Sequence, residues 1–235
     1  MNKKVAWSTL LMLGIIVGIG FVLTQQKNRR VAQERELLNQ IFFSTVDCTA
    51  PCWRGLIPGQ PGLDEYYDLA NVLEESGAVL RHETHEDDYI VYNWFYPESD
   101  VYLYIDIIDT IGNINRISFS NLRISNVDSL FTLLGEPNYY ASRLIRDIEA
   151  IISLEFMYAE ENTVIIFEGI RPNQETDDCY LDLSALQIRE VYFVQSSTPS
   201  QMLEDSFSRY YPSSEAIQPW AGVEAIRIYG CVPKR

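Results

Sequence analysis

The chain has 235 residues, with 18 Lys and Arg against 33 Asp and Glu, for a formal charge of −15. The first thirty residues hold Lys3, Lys4, Lys27, Arg29 and Arg30 and no acid, so the rest carries 33 acidic against 13 basic groups, or −20. That surface repels phosphate backbones and excludes sequence-independent nucleic-acid binding, while 47% hydrophobic and 12% aromatic residues exclude a disordered chain.

Val5 to Leu23 is a run of 19 residues without a charge. As a helix rising about 1.5 Å per residue it reaches roughly 28 Å, close to the ~30 Å hydrocarbon core of a bilayer. No small-residue cleavage site follows it and no cysteine lies near its end, which argues against a cleaved signal peptide and against lipoprotein processing. Residues 1–26 are therefore expected to be an uncleaved membrane anchor, with 5–23 in contact with lipid. Flanking charges (Lys3 and Lys4 against Lys27, Arg29, Arg30 and Arg35) would by simple counting leave the following domain in the cytoplasm. That rule weakens for large translocated domains, and the cysteines argue for an oxidising compartment. The expected location is the cell membrane, single-pass, with the C-terminal domain extracytoplasmic.

Residues 27–47 read as a juxtamembrane helical stalk, Leu38, Ile41 and Phe42 sharing one face and Val31 lying two turns back. Between Cys48 and Gly62 come Pro51, Pro58 and Pro61 with Gly55, Gly59 and Gly62, a fixed irregular turn. Four cysteines allow three pairings, of which Cys48–Cys52 with Cys179–Cys231 is preferred. The competing reading is four reduced thiols buried as small apolar groups. Trp53, next to Cys52, is expected to cover the disulfide.

A first α+β unit, 48–122, opens with a helix from Leu63 whose apolar face is Leu63, Tyr66, Tyr67, Ala70 and Leu73, stopped by Gly77. Alternating strands are expected at 89–96, 101–108 and 114–120. The pattern returns in a second unit, 123–235. Ser125 caps a helix burying Val127, Leu130, Phe131 and Leu134, ended by Gly135-Glu136-Pro137. Strands are expected at 151–158, 163–169, 179–183 and 187–194, then a helix from the Thr198 cap to Tyr210 and a strand at 223–230. The helix-ending glycines, Gly77 and Gly135, lie 58 residues apart, too far for a solenoid repeat.

The run Cys48-Thr-Ala-Pro51-Cys52-Trp53-Arg-Gly55-Leu56-Ile57-Pro58-Gly59 resembles an opening motif of uncharacterised membrane-anchored bacterial proteins. The two units, each a short helix ending in Gly and then a meander, are similar to the β-lactamase-inhibitor-protein-like fold, which includes the SmpA/OmlA outer-membrane-assembly lipoproteins. Leu134-Gly135-Glu136-Pro137 matches the Leu-Gly-x-Pro helix end of that family, and Pro58-Gly59 loosely matches its helix start. The chain departs from the family in lacking the lipoprotein cysteine and the Gly-Met-Thr start. The resemblance implies an α+β fold, antiparallel sheet with helices on one face, and protein binding on an open sheet without catalysis or cofactor.

Three constellations compete for a functional role. His82, His85, Glu86, Asp87 and Asp88 could offer imidazole and carboxylate ligands to a divalent cation, though a solvated connection between helix and strand explains them better. Among Asp106, Asp109, Glu155, Glu160, Glu161, Glu168, Asp177, Asp178 and Glu190, an opposed pair could act as acid and base on a glycan. No nucleophile elbow or phosphate-binding loop is present. Tyr92, Trp94 and Tyr96 share one strand face and Tyr102 and Tyr104 share the next, which would form an aromatic platform for a protein partner if exposed. The expectation is a membrane-anchored, non-enzymatic interaction module binding a protein on that face, without cofactor or metal, with an acidic-pair hydrolase or a cation sensor as the alternatives.

Overall fold

The computed structural model describes residues 3–43, 51–86, 89–108, 112–125, 127–146, 150–170, 186–196, 198–205, 217–222 and 226. Residues 3–14, 16, 82–86, 89, 108, 128, 143–146, 150–152, 170 and 205 are described through the backbone alone. The chain divides into two compact units, Met1–Leu38 and Asn39–Arg235.

The first unit is a helix. α1 (Lys3–Phe42) runs for 40 residues, its last turn falling in the second unit. No proline interrupts it, so the apolar run and the polar stretch after it form one rod. Thr24 Oγ1 donates to the Gly20 carbonyl at 2.8 Å, and Arg30 meets Glu34 one turn on at 2.9 Å. Ile15, Val17, Ile19, Phe21, Val22 and Leu23 are about half exposed or more. At 3.6 residues per turn these positions fall on opposite sides of the axis rather than along one stripe. Among the described residues no helix is long and apolar enough to cross a membrane. The side chains of 3–14 and 16, which supply most of the Val5–Leu23 run, lie outside that description.

The second unit is α+β, built on one antiparallel sheet. Its elements are α2 (Leu63–Glu75), β1 (Val79–Glu86), β2 (Tyr89–Tyr96), β3 (Val101–Ile108), β4 (Asn113–Ser120), α3 (Val127–Leu134), β5 (Tyr139–Arg146), β6 (Ala150–Tyr158), β7 (Thr163–Ile170), β8 (Gln187–Val194), α4 (Pro199–Asp205) and β9 (Ile217–Pro219). The strand order is β1-β2-β3-β4-β8-β7-β6-β5-β9. Two four-stranded meanders thus join through β4 and β8, where Ile117 pairs with Phe193 and Phe119 with Val191. The sheet is continuous across the 122/123 boundary, and Asn39–Arg235 is a single compact body.

The two halves repeat in detail. α2 and α3 are each followed by a glycine in the left-handed region, Gly77 at φ +87 and Gly135 at φ +76. Each half then carries the same irregularity between its third and fourth strands. Opposite Asp106/Ile107 the extra residue is Asn115, and opposite Ile166/Phe167 it is Arg189.

Cross-strand pairing places Trp94, Leu103, Phe119, Val191, Ile165, Phe156 and Tyr140 in one row across the sheet. α2 and α3 cover this face: Tyr66 stacks on Tyr92 with centroids 4.0 Å apart, and Phe131 stacks on Phe156 at 5.8 Å. α4 departs from the expected one-sided arrangement. Its Met202 and Leu203 are buried on the opposite face among Ala141, Met157, Val164, Ile166, Tyr192 and Val194.

The proline- and glycine-rich segment before α2 is a clasp. Trp53 and Leu56 exchange both backbone hydrogen bonds (2.9 and 3.0 Å), with Arg54 at φ +49 and Gly55 at φ +91 between them. Positive φ at both central residues defines the tight turn that glycine makes inexpensive. Gly59 N–H then donates to the Ile114 carbonyl, Ile114 N–H to Gln60, and Gly62 N–H to Gly112, tying the segment to the start of β4.

β1 and β5 were not legible as strands in the sequence pattern. His82 to Glu86, expected as a connection, belongs to β1. The expected strand at 179–183, the helix end at 206–210 and all of the strand at 223–230 except Ile226 lie outside the described residues.

A Cβ on Gly62 would stand 2.6 Å from Ile114 Cγ1. Gly62→Ala should therefore cost about 1–3 kcal/mol in urea unfolding, as overpacking does. Combining it with Ile114→Ala should cost less than the two single changes added together, because the clash is removed.

Candidate functional site

The five aromatic residues expected to share a platform are divided between the two faces of the sheet. Trp94 pairs with Leu103 while Tyr102 pairs with Phe95, so the β2 and β3 groups point in opposite directions. Tyr92 and Trp94 are buried, Tyr92 beneath Tyr66 of α2, and no hydrogen-bond acceptor for Trp94 Nε1 is found among the described residues. Tyr96, at the end of the same row, is partly buried. Burial raises its phenol pKa, opposed by the positive charge of Arg54.

On the other face Tyr102 and Tyr104 are joined by a residue not foreseen there, Phe95. Its ring lies 4.8 Å from Tyr102, which lies 6.4 Å from Tyr104, and the Arg81 guanidinium sits 4.7 Å over Phe95. All three rings are partly exposed. Strict alternation put Phe95 on this face, and the signal lay in the Trp94-Phe95-Tyr96 run, where three aromatics cannot all face one way.

Toward the sheet centre the ladder meets polar residues. Tyr104 pairs with Ser118, which pairs with Tyr192 across the seam. Asp106 and Arg116 form a largely buried ion pair, and Arg116 lies 5.6 Å over the Tyr192 ring. Tyr192 donates its hydroxyl proton to Glu190. Burial first, then the nearby Glu190 charge and this hydrogen bond, raise the Tyr192 pKa, since ionisation would set an anion beside a carboxylate. Tyr158, buried in the core, is raised in the same way by burial and by Glu161.

The carboxylates named as possible acid–base partners are accounted for differently. Asp106 is held by Arg116, Glu190 by Tyr192, and Glu168 faces Arg189 at 3.4 Å. Glu155 is buried, and Glu160 and Glu161 sit in the turn between β6 and β7. Asp109, Asp177 and Asp178 lie outside the described residues. No group of three or more potential metal ligands occurs among the described residues. His82 and His85 stand in β1, while Asp87 and Asp88 lie outside the described residues.

Cys52 is disulfide-bonded. Cys48, Cys179 and Cys231 lie outside the described residues. Trp53 is buried edge-on against Phe119 at 5.3 Å, with Arg54 5.4 Å from its ring centre. Trp220 packs among Phe131, Tyr140 and Phe156. Trp53 is therefore a core residue, and Trp220 is a partly buried one packed against the core.

No protein-family model, curated protein or solved structure matches the chain.

Two consequences are measurable. Asp106→Ala strands the buried Arg116 charge and should cost about 3–5 kcal/mol, whereas Asp106→Leu with Arg116→Met should cost far less, as judged by urea denaturation. Tyr158 and Tyr192 have pKa values raised by folding, so their contribution is complete below the ordinary phenol value of about 10 and is eroded above it as the unfolded phenols ionise. The double variant Tyr158→Phe/Tyr192→Phe should lose less stability between about pH 9 and 12 than the parent chain.

Proposed function

We propose that the chain is a membrane-anchored, extracytoplasmic interaction module that binds a protein partner and performs no catalysis. The observation that carries this reading is the unequal treatment of one sheet face. In the second half that face is sealed by α4 through Met202 and Leu203. In the first half the corresponding face presents Phe95, Tyr102 and Tyr104 with Arg81, partly exposed and with no described helix over them. Aromatic side chains with a polar tip supply large contact area at little entropic cost, which suits them to protein recognition. The −20 balance beyond the first thirty residues favours a partner with a basic rim.

The helix-then-meander order of each half supports assignment to the β-lactamase-inhibitor-protein-like architecture. The uncharged Val5–Leu23 run and the exposed apolar side chains on opposite sides of α1 support the anchor. The disulfide at Cys52 supports an oxidising compartment, with Cys48 as the proposed partner and Cys179–Cys231 as the second pair.

A photo-crosslinking amino acid at position 102 in membranes should give a protein adduct that the same probe at Asp68, exposed on α2, does not. Tyr104→Ala should reduce that adduct about tenfold or more, in the range of an interface hot spot. A C-terminal reporter should be accessible only from outside the cytoplasm. Equal adducts at both positions would remove the binding face, and a cytoplasmic reporter would remove the localisation.

A further inference from the structure

The sheet ends on two unequal edges. β9 is three residues long and closes on Pro219, a device that blocks strand addition. β1 is eight residues long, contains neither Pro nor Lys, and no described strand lies beyond it. At its start Val79 is 44% and Leu80 38% exposed, with Tyr67 and Val72 of α2 also about half exposed. The one irregularity lies between Leu80 and His82, which leaves 82–86 in unbroken register with β2.

That regular run, His82-Glu83-Thr84-His85-Glu86, has opposite charge character at positions equidistant from Thr84. Adjacent residue pairs in an antiparallel ladder alternate between hydrogen-bonded and non-hydrogen-bonded types, so two identical strands related by a two-fold must set one residue opposite itself. A centre on Glu83 opposes two carboxylates, and a centre on His82 or His85 opposes two imidazoles. Only Thr84 at the centre sets His82 opposite Glu86 and Glu83 opposite His85, each twice by symmetry. Opposed residues in this register also share a sheet face.

We infer that two copies of the chain pair edge to edge through β1, antiparallel about Thr84, so that the sheet continues across a dimer. The occupant of the edge is a second copy because the charge pattern is complementary to itself. Main-chain hydrogen bonds extend the ladder, and the imidazole–carboxylate pairs fix its register. β2 sets Asn93, Tyr92, Val91, Ile90 and Tyr89 opposite His82 to Glu86, and contributes no carboxylate or cation of its own. The charged groups on the other element packed against β1, α2, are Asp64, Glu65, Asp68, Glu74 and Glu75; Arg81 precedes the run.

The test is sedimentation of the full chain in mild detergent at about pH 6, where imidazolium is well populated. A dimer is expected. His82→Glu sets like charges opposite Glu86 twice and should weaken it about tenfold or more, while His82→Glu with Glu86→His should restore it. Thr84→Cys should crosslink to its own copy on mild oxidation. His82→Cys should not, being about 13 Å from its symmetry mate at ~3.3 Å per residue. A chain that stays monomeric, or a dimer indifferent to both His82→Glu and the swap, would overturn the inference. Tyr102→Ala with Tyr104→Ala should leave the dimer intact, which separates this edge from the aromatic face proposed to bind a partner.

Discussion

Everything in the second unit depends on the pairing of β4 with β8. A four-stranded meander with its helix buries only one side, and its last strand ends on unpaired N–H and C=O groups. Setting Arg116–Phe119 against Val191–Val194 satisfies both open edges at once and turns two such meanders into one sheet. The core follows that seam. Phe42, Phe193, Phe119 and Trp53 form a chain of edge-on aromatic contacts at 5.8, 6.3 and 5.3 Å directly beneath it. Trp53 occupies its place because the clasp before α2 is stitched to the start of β4. The Trp53-Arg-Gly-Leu56 turn and the segment to Gly62 are therefore the fastening of the seam. The tight turn delivers Trp53 and Leu56 to the core.

Much of this was legible in the sequence wherever side-chain period and burial agreed. Val101, Leu103, Ile105 and Ile107 alternate with Tyr102, Tyr104 and Asp106, and β3 follows that pattern except that Asp106, on the polar side, is buried with Arg116. The glycines that stop α2 and α3 were readable because their conformation leaves few alternatives. What failed were elements whose strand character comes from their neighbours. β1, with the sequence Val-Leu-Arg-His-Glu-Thr-His-Glu, has the charge of a loop and is a strand because β2 offers it a full ladder. β5, Tyr-Tyr-Ala-Ser-Arg-Leu-Ile-Arg, is likewise held between β6 and β9. The aromatic platform failed for another reason. Composition located the tyrosines, but only the register of β2 against β3 decides which side each ring takes, and a shift of one residue exchanges them all. α4 on the opposite face was invisible to a pattern that records amphipathicity without recording which face is free.

The contrast between the two halves can be followed to individual positions. The matching irregularities at Asn115 and Arg189 align β4 with β8, so that Arg116 corresponds to Glu190, Ser118 to Tyr192 and Ser120 to Val194. Tyr192 and Val194 belong to the apolar cluster that receives Met202 and Leu203 of α4. Their counterparts in the first half are serines, which offer a covering helix no comparable apolar area. The same exchange sets Arg116, paired with Asp106, where the second half has Glu190 bonded to Tyr192. A sheet face closed from within the chain carries apolar area at these seam positions, as β8 does with the Tyr192 ring and Val194. The first half instead keeps small hydroxyls beside the seam and carries its aromatic area away from it in Phe95, Tyr102 and Tyr104, rings that tolerate water at their edges. The two halves thus share a backbone plan and differ in the residues that decide whether a face is filled by the chain's own helix or left to meet something outside it.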